Sequence, residues 1–233
     1  MSALVLPRVT VHDSNLEFEG YGSYQEPLWM FGMEEGFGGR LTRPGWSEQR
    51  ELDIRATWPA ITSARVACAT LGDDYWNRRN YSRVWRNGGK LYRAMIEGAA
   101  DYLDTNLAHE YVRDRLGQAG GGTFWGELFP LPAVGLEHWP YRARWLDRNV
   151  YRRALWWRRR QLWRARLHEH RPRLVICYGA DVRSYAAELF GVRAQPGLYA
   201  EDVNGTRVVF APFIGGRCSN KSLTAIVRAA VGH

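Results

Sequence analysis

The sequence predicts an α/β fold built on a mostly parallel, four-stranded sheet, and three observations carry that prediction. First, four short apolar runs recur along the 233 residues, each followed by a polar or glycine-rich loop. They are Leu28-Trp-Met-Phe-Gly-Met-Glu-Glu-Gly-Phe-Gly-Gly39, Thr123-Phe-Trp-Gly-Glu-Leu-Phe-Pro-Leu-Pro132, Arg173-Leu-Val-Ile-Cys-Tyr-Gly179 and Thr206-Arg-Val-Val-Phe-Ala-Pro-Phe213. Second, helical segments separate them, and strands alternating with helices form parallel sheets covered on both faces. Third, the opening run ends in a glycine-rich turn with two adjacent carboxylates. Glycine lets a backbone approach a ligand closely, and open α/β sheets place their chemistry at the carboxyl ends of strands. An ordinary strand-to-loop junction with solvated glutamates would read the same way.

In chain order, residues 1–27 read as an extended arm with a short strand at Val9–Val11. Residues 46–115 read mostly as helices, interrupted by Pro59 and by glycines. Ser47 is the N-cap of the first, and Glu48 in its first turn suits the helix dipole. Residues 117–122 are a short glycine-rich linker. A long helix is expected over 141–170, ended by Pro172. Strand Leu174–Cys177, helix Asp181–Leu189, strand Val208–Phe210 and a last helix over 222–230 complete a single domain spanning 1–233.

On the long helix, Arg148, Arg152, Arg159 and Arg166 fall within an arc of about 40°. Tyr151, Ala154, Leu155, Leu162 and Ala165 occupy the adjoining arc and would face the sheet. Four guanidiniums in a row could track a phosphate backbone. A solvated face satisfied by acidic neighbours is the simpler reading.

Composition narrows the classes. No stretch approaches the roughly 20 apolar residues needed to span a bilayer, and Met1-Ser-Ala-Leu-Val-Leu-Pro7 lacks the pattern of a signal peptide. Cys68, Cys177 and Cys218 are odd in number and far apart, which fits a reducing, cytoplasmic setting better than a disulfide framework. The net charge of +8 and pI near 9.7 favour a polyanionic partner. Lys90 and Lys221 are the only lysines, so the charge is almost all arginine, whose planar fork suits phosphate. High-GC codon usage would also enrich arginine. Eleven tryptophans leave room for base stacking as well as for core packing.

Taken in order, the four runs resemble the motifs of the uracil-DNA glycosylase superfamily. The second is similar to its Asn-Leu-Tyr-Pro-Leu-Pro segment and the third to its Pro-Lys-Leu-Val-Val-Leu-Gly strand, while Ala211-Pro-Phe213 sits where its His-Pro-Ser loop belongs. The resemblance covers roughly Trp29 to the C-terminus. It implies a three-layer α/β/α domain that flips a base out of DNA and cleaves its bond to the sugar through an oxocarbenium-like transition state. It implies no cofactor and no metal, since three cysteines cannot supply the four-cysteine cluster of some members. The expected partner is DNA, single-stranded or duplex, bound by a monomer with no membrane association.

The resemblance also assigns candidate residues. Counting from Gly32, Glu34 occupies the position of the water-activating residue, with Glu35 as the second catalytic candidate. Two carboxylates this close raise each other's proton affinity if both point inward. Gly36 stands where uracil-specific members carry a tyrosine, which implies an open floor beneath carbon 5 of the base. Phe37 is a stacking partner or a core residue.

Glu127 takes the place of an asparagine that reads the pyrimidine edge, beside Phe129. An ionised glutamate only accepts hydrogen bonds, which suits the amino group of cytosine rather than a uracil carbonyl. Alternatively, Glu127 caps a helix or pairs with an arginine. Ala211 replaces the histidine that stabilises the departing base, leaving Asn220 and Arg217 as local substitutes. Gly215, Gly216, Arg217 and Lys221 lead into the last helix, whose N-terminal amides favour a phosphate, and Arg40 is a further phosphate candidate. Trp85, Arg86, Asn87 and Lys90 belong to a DNA-facing loop or to a helix surface.

These residues together point to excision of a bulky 5-substituted cytosine, in antiviral defence or in repair. A non-cutting DNA-binding module and a uracil or thymine repair enzyme are the competing expectations. A P-loop enzyme is disfavoured, because Gly39 is followed by Arg40 and Leu41 instead of Gly-Lys-Ser/Thr.

Overall fold

The computed structural model describes residues 9–36, 40–72, 82–133 and 138–232. Among them, seven strands form one open, mostly parallel sheet: β1 (Gly20–Tyr21), β2 (Leu28–Gly32), β3 (Ile61–Thr62), β4 (Thr123–Glu127), β5 (Leu174–Tyr178), β6 (Tyr199–Val203) and β7 (Thr206–Ala211), in the order β3-β1-β4-β2-β5-β7-β6. The four runs singled out in the sequence are the contiguous parallel block β4-β2-β5-β7. The expected count of four is therefore corrected to seven. Strands β1 and β3 are two residues each, too short to leave a periodic pattern. The return strand β6 is antiparallel and half-buried, turned by Asn204 and Gly205 at φ 50° and 85°. Positive φ at both positions is what a tight hairpin turn requires.

Helices α1 (Glu48–Arg55), α2 (Ala64–Thr70), α3 (Arg83–Met95), α4 (Thr105–Asp114), α5 (Arg148–His170), α6 (Ala180–Phe190) and α7 (Asn220–Val231) surround the sheet. Successive strand residues pack to opposite sides. Trp29 and Phe31 join a core with Trp163 of α5 and Ala186 of α6. Leu28 and Met30 join a second core with Ala67 of α2, Leu91 of α3, Val112 of α4 and Ile226 of α7. All four of these β2 side chains have no exposed surface, each worth about 1.5–3 kcal/mol of burial. This explains why the central strands read as continuous apolar runs: both faces are covered.

Two boundaries move. The arm contributes β1 and a short 3-10 turn (Asp13–Leu16), while Val9 and Val11 are buried without forming a strand. Helix α5 begins at Arg148 instead of 141, because the Asp147 carboxylate caps it, accepting from the Val150 amide at 2.8 Å. The preceding Tyr141 and Trp145 are buried outside any helix, so their apolarity mimics a helix face. Ser47 caps α1 as expected, accepting from the Arg50 amide at 3.2 Å.

The arginine stripe of α5 is satisfied mainly by acidic neighbours, as the simpler reading expected, but it is largely covered instead of solvated. Its members turn inward. Arg148 lies 3.6 Å from Glu34, and Arg152 bonds Glu34 at 2.9 and 3.2 Å and Asp181 at 3.3 Å. Arg159 donates to the main-chain carbonyls of Leu128 and Glu127 at 3.0 and 2.6 Å, and Arg166 grips Glu19 at 3.1 and 3.2 Å. In the adjoining arc Tyr151 is buried, but Ala154 and Ala165 are exposed and do not face the sheet. No helix among the described residues is long and apolar enough to cross a membrane, and no disulfide joins the three cysteines.

Candidate functional site

A cleft of about 760 Å³ opens at the carboxyl ends of β2, β4 and β5. Gly32, ending β2, is the register partner of Glu127, ending β4. Main-chain bonds continue the pairing beyond both strands: Leu128 and Phe129 amides donate to Gly32 and Met33 carbonyls at 3.0 and 2.8 Å, and the Ala133 amide donates to Glu35 at 2.8 Å. The two loops that carry the carboxylates are thereby held side by side. Glu34, Glu35, Gly36 and Glu127 all line the cleft.

The three carboxylates have different surroundings. Glu34 is held by Arg152 and Arg148, with 5% of its side chain exposed. Glu35 meets Arg55 at 2.9 Å and Arg40 at 3.8 Å and accepts from the Tyr21 hydroxyl. Burial opposes its ionisation, but Arg55 and Arg40 outweigh it and hold the carboxyl below its ordinary range.

Beneath lies Glu51, fully buried, which bonds Arg40 at 2.7 and 2.8 Å and Arg55 at 2.9 Å. Two arginines and two glutamates thus alternate in one buried, charge-balanced network, with Arg55 stacked over Trp58 at 4.8 Å.

Glu127 has no such partner. It is buried, Oε2 accepts no hydrogen bond, and no cation pairs with the carboxylate among the described residues. Burial first, then repulsion from Glu35 and Glu34, push its carboxyl well above the usual range, against the weaker pull of Arg55 and Arg159. Arg159 spends two donors on main-chain carbonyls and not on the carboxylate. Glu127 therefore keeps its proton under conditions in which Glu35 is ionised. In the protonated form the carboxyl offers one donor and one acceptor, where the ionised form only accepts.

Other candidates separate. The Gly36 carbonyl accepts from Arg40 at 3.2 Å. Phe37 lies outside the described residues. Phe129 is fully buried against Tyr151, Trp156 and Tyr185, a core position away from the cleft. Arg40 lines the cleft but is largely buried, its guanidinium engaged by Glu51, Glu35 and Gly36.

Asn220 opens α7 and accepts from Lys90 at 3.4 Å, outside the cleft lining. Gly215 is buried, whereas Gly216, Arg217 and Lys221 are exposed near the Ser219 cap of α7. Ala211 is buried at the end of β7 and does not line the cleft. Trp85 does line it, while Asn87 and Lys90 are buried within α3, and the Asn87 amide donates to Ile214 at 2.7 Å.

Several site residues escaped the sequence reading. Tyr178 ends β5 as Glu127 ends β4, and that shared position was the available signal. Its ring meets Trp125 and Phe213 at centroid distances of 6.1 and 6.5 Å. Arg55 reaches Glu35 from α1 and left no local signal, while Arg152 stood out only as part of the α5 stripe, with nothing to link it to Glu34. No group of His, Cys, Asp or Glu suited to a metal ion is found among the described residues. No protein-family model and no curated protein matches the sequence.

Proposed function

We propose that this chain is a DNA glycosylase that hydrolyses the N-glycosidic bond of a flipped-out, 5-substituted cytosine and leaves an abasic site. One observation carries the reading: three carboxylates converge on one cleft at the carboxyl ends of adjacent parallel strands, and their environments push two of them to opposite charge states. Carboxyl groups driven apart in this way divide acid and base work between them. Cleavage of a base from its sugar needs an anionic side chain near the cationic sugar and a positioned water. Glu34 has that role in this reading, and Arg152 and Arg148 fix its orientation. Glu35 is the second candidate. Gly36 leaves the floor of the cleft open beneath carbon 5, and about 760 Å³ accommodates a base carrying a bulky substituent. Such bases occur in some phage genomes, which makes antiviral defence a fitting role.

A second reading, a module that binds modified DNA without cutting it, is favoured by one specific observation. Glu34 and Glu35 are both engaged by arginines, as structural carboxylates are. Abasic-site formation separates the two. Duplexes containing uracil, 5-hydroxymethylcytosine or glucosylated hydroxymethylcytosine are incubated with excess protein and assayed for strand scission after alkali. Abasic sites at the modified cytosine support the enzyme. Tight binding with no release from any duplex supports the module, and release from uracil alone supports a repair enzyme.

A further inference from the structure

Ala211 has no polar side chain, and Asn220 lies outside the cleft lining. Neither therefore takes up negative charge on a departing base. Glu127 meets the need from another direction. It lines the cleft from the end of β4, is 7% exposed, and its Oε2 has no hydrogen-bond partner among the described residues. Leaving a buried carboxyl oxygen unsatisfied costs about 1–3 kcal/mol, a cost that a bound ligand able to hydrogen-bond would remove.

We propose that Glu127 is a catalytic residue that delivers its carboxyl proton to ring nitrogen 3 of a flipped cytosine as the bond to the sugar breaks. This rests on the glycosylase reading and names the leaving-group chemistry and base class of that site. The C1′–N1 bond breaks with its electron pair going to the ring, while the Glu127 proton moves to N3, so the base departs as a neutral tautomer. Water forms the new bond to C1′ and gives its proton to the Glu34 carboxylate. Solvent then returns a proton to Glu127 and removes one from Glu34, so the net reaction is hydrolysis.

The groups facing Glu127 are consistent with a proton donor. Glu34 and Glu35, from the loop after β2, disfavour a third negative charge beside them. Arg55 of α1 pairs with Glu35 and Glu51, and Arg159 of α5 donates to main-chain carbonyls; among the described residues each keeps a buried Nη1 without a hydrogen-bond partner, but neither forms an ion pair with Glu127. Arg152 and Arg148 are held by Glu34. Tyr178 of β5 is neutral, its hydroxyl pushed up by burial and then by Glu127 and Glu35. The proton also selects the base. Cytosine N3 carries a lone pair, whereas N3 of uracil or thymine already carries hydrogen and cannot accept. Discrimination then arises in the transition state, where it raises the rate.

The test is the single-turnover rate of release of glucosylated hydroxymethylcytosine from duplex DNA, followed between about pH 5 and pH 9, the span that exposes a shifted carboxylic acid. The expected wild-type rate falls as pH rises through the Glu127 titration. Glu127→Gln should be slower by ~10²–10⁴-fold and lose that limb, while Glu127→Asp retains it. A substrate-side arm needs no variant: the same base with carbon in place of N3 should lose both the rate and the limb with the wild-type protein. Release that is unchanged in rate and pH profile, by Glu127→Gln or from the carbon-substituted base, overturns the assignment and leaves the glycosylase standing. No release by the wild-type protein from any duplex overturns both.

Discussion

Gly32 and Glu127 are partners across the parallel β2–β4 pair, and the Cβ that Gly32 lacks is space that Glu127 uses. An added Cβ would lie 2.9 Å from Glu127 Oε2 and 2.8 Å from the Tyr178 hydroxyl oxygen. The glycine thus sets how closely two strand-end side chains approach the backbone of a third.

Gly32→Ala should therefore displace both groups at once. We expect a loss of about 1–3 kcal/mol of stability, the usual cost of overpacking, together with a sharp fall in base release. Urea unfolding and the single-turnover assay measure the two effects. A variant as stable and as active as wild type would show that the cleft floor yields freely.

Glu34→Gln and Glu35→Gln should differ in kind. The first should lower base release by ~10²-fold or more while leaving DNA binding largely intact, because a carboxylate near a developing cation matters most in the transition state. The second removes a partner of Arg55 and Arg40, although Glu51 retains both. Its cost should appear in stability, and stay below the ~3–5 kcal/mol of breaking a buried pair outright. Reversal of the two phenotypes would move the catalytic role to Glu35.

The same carboxylates pull the pH dependence of stability in opposite directions. The Glu35 pKa is lowered on folding, so its contribution is present above the ordinary carboxylate range and is lost as pH falls through the lowered value. The Glu127 pKa is raised on folding, so the native state binds the proton more tightly. Its contribution is full below the ordinary range and declines as pH rises toward the raised value. Glu127→Gln should therefore gain stability relative to wild type as pH increases. Unfolding midpoints across a pH series check this, and parallel curves for the two proteins would refute it.

Arg217 and Lys221 are exposed at the approach to α7. If they contact phosphates, the double variant Arg217→Ala/Lys221→Ala should bind DNA more weakly and reduce the slope of log K against log salt by about 2. An unchanged slope would assign DNA contact to another face.

The central strands were legible because burial on both faces leaves uninterrupted apolar runs, as in Leu174–Tyr178. The edges were not. A two-residue strand such as Ile61–Thr62 has no period, and the Asn204-Gly205 pair, a hairpin signal, went unread. In the site, the positions of Glu34, Glu35 and Glu127 could be read from their places after the apolar runs. Their charge states could not. Arg152 stands 118 positions from Glu34, and the raised proton affinity of Glu127 follows from its burial beside Glu35 and Glu34, which only tertiary packing decides. The arginine stripe was found by its period and its acidic partners were expected, but not its burial, because helical spacing shows which residues share a face and not what that face meets.

The alternating chain of Glu35, Arg55, Glu51 and Arg40 ties the docking of α1 to the electrostatic state of the cleft. Its members can be exchanged during divergence only in compensating pairs, since any single replacement strands an opposite charge in the interior. Relatives of this protein should therefore fall into two groups: those that keep all four residues, and those that replace oppositely charged partners together with apolar residues of similar volume. In the second group the carboxylates left in the cleft would have lost the field of these arginines, and their chemistry would have drifted with it.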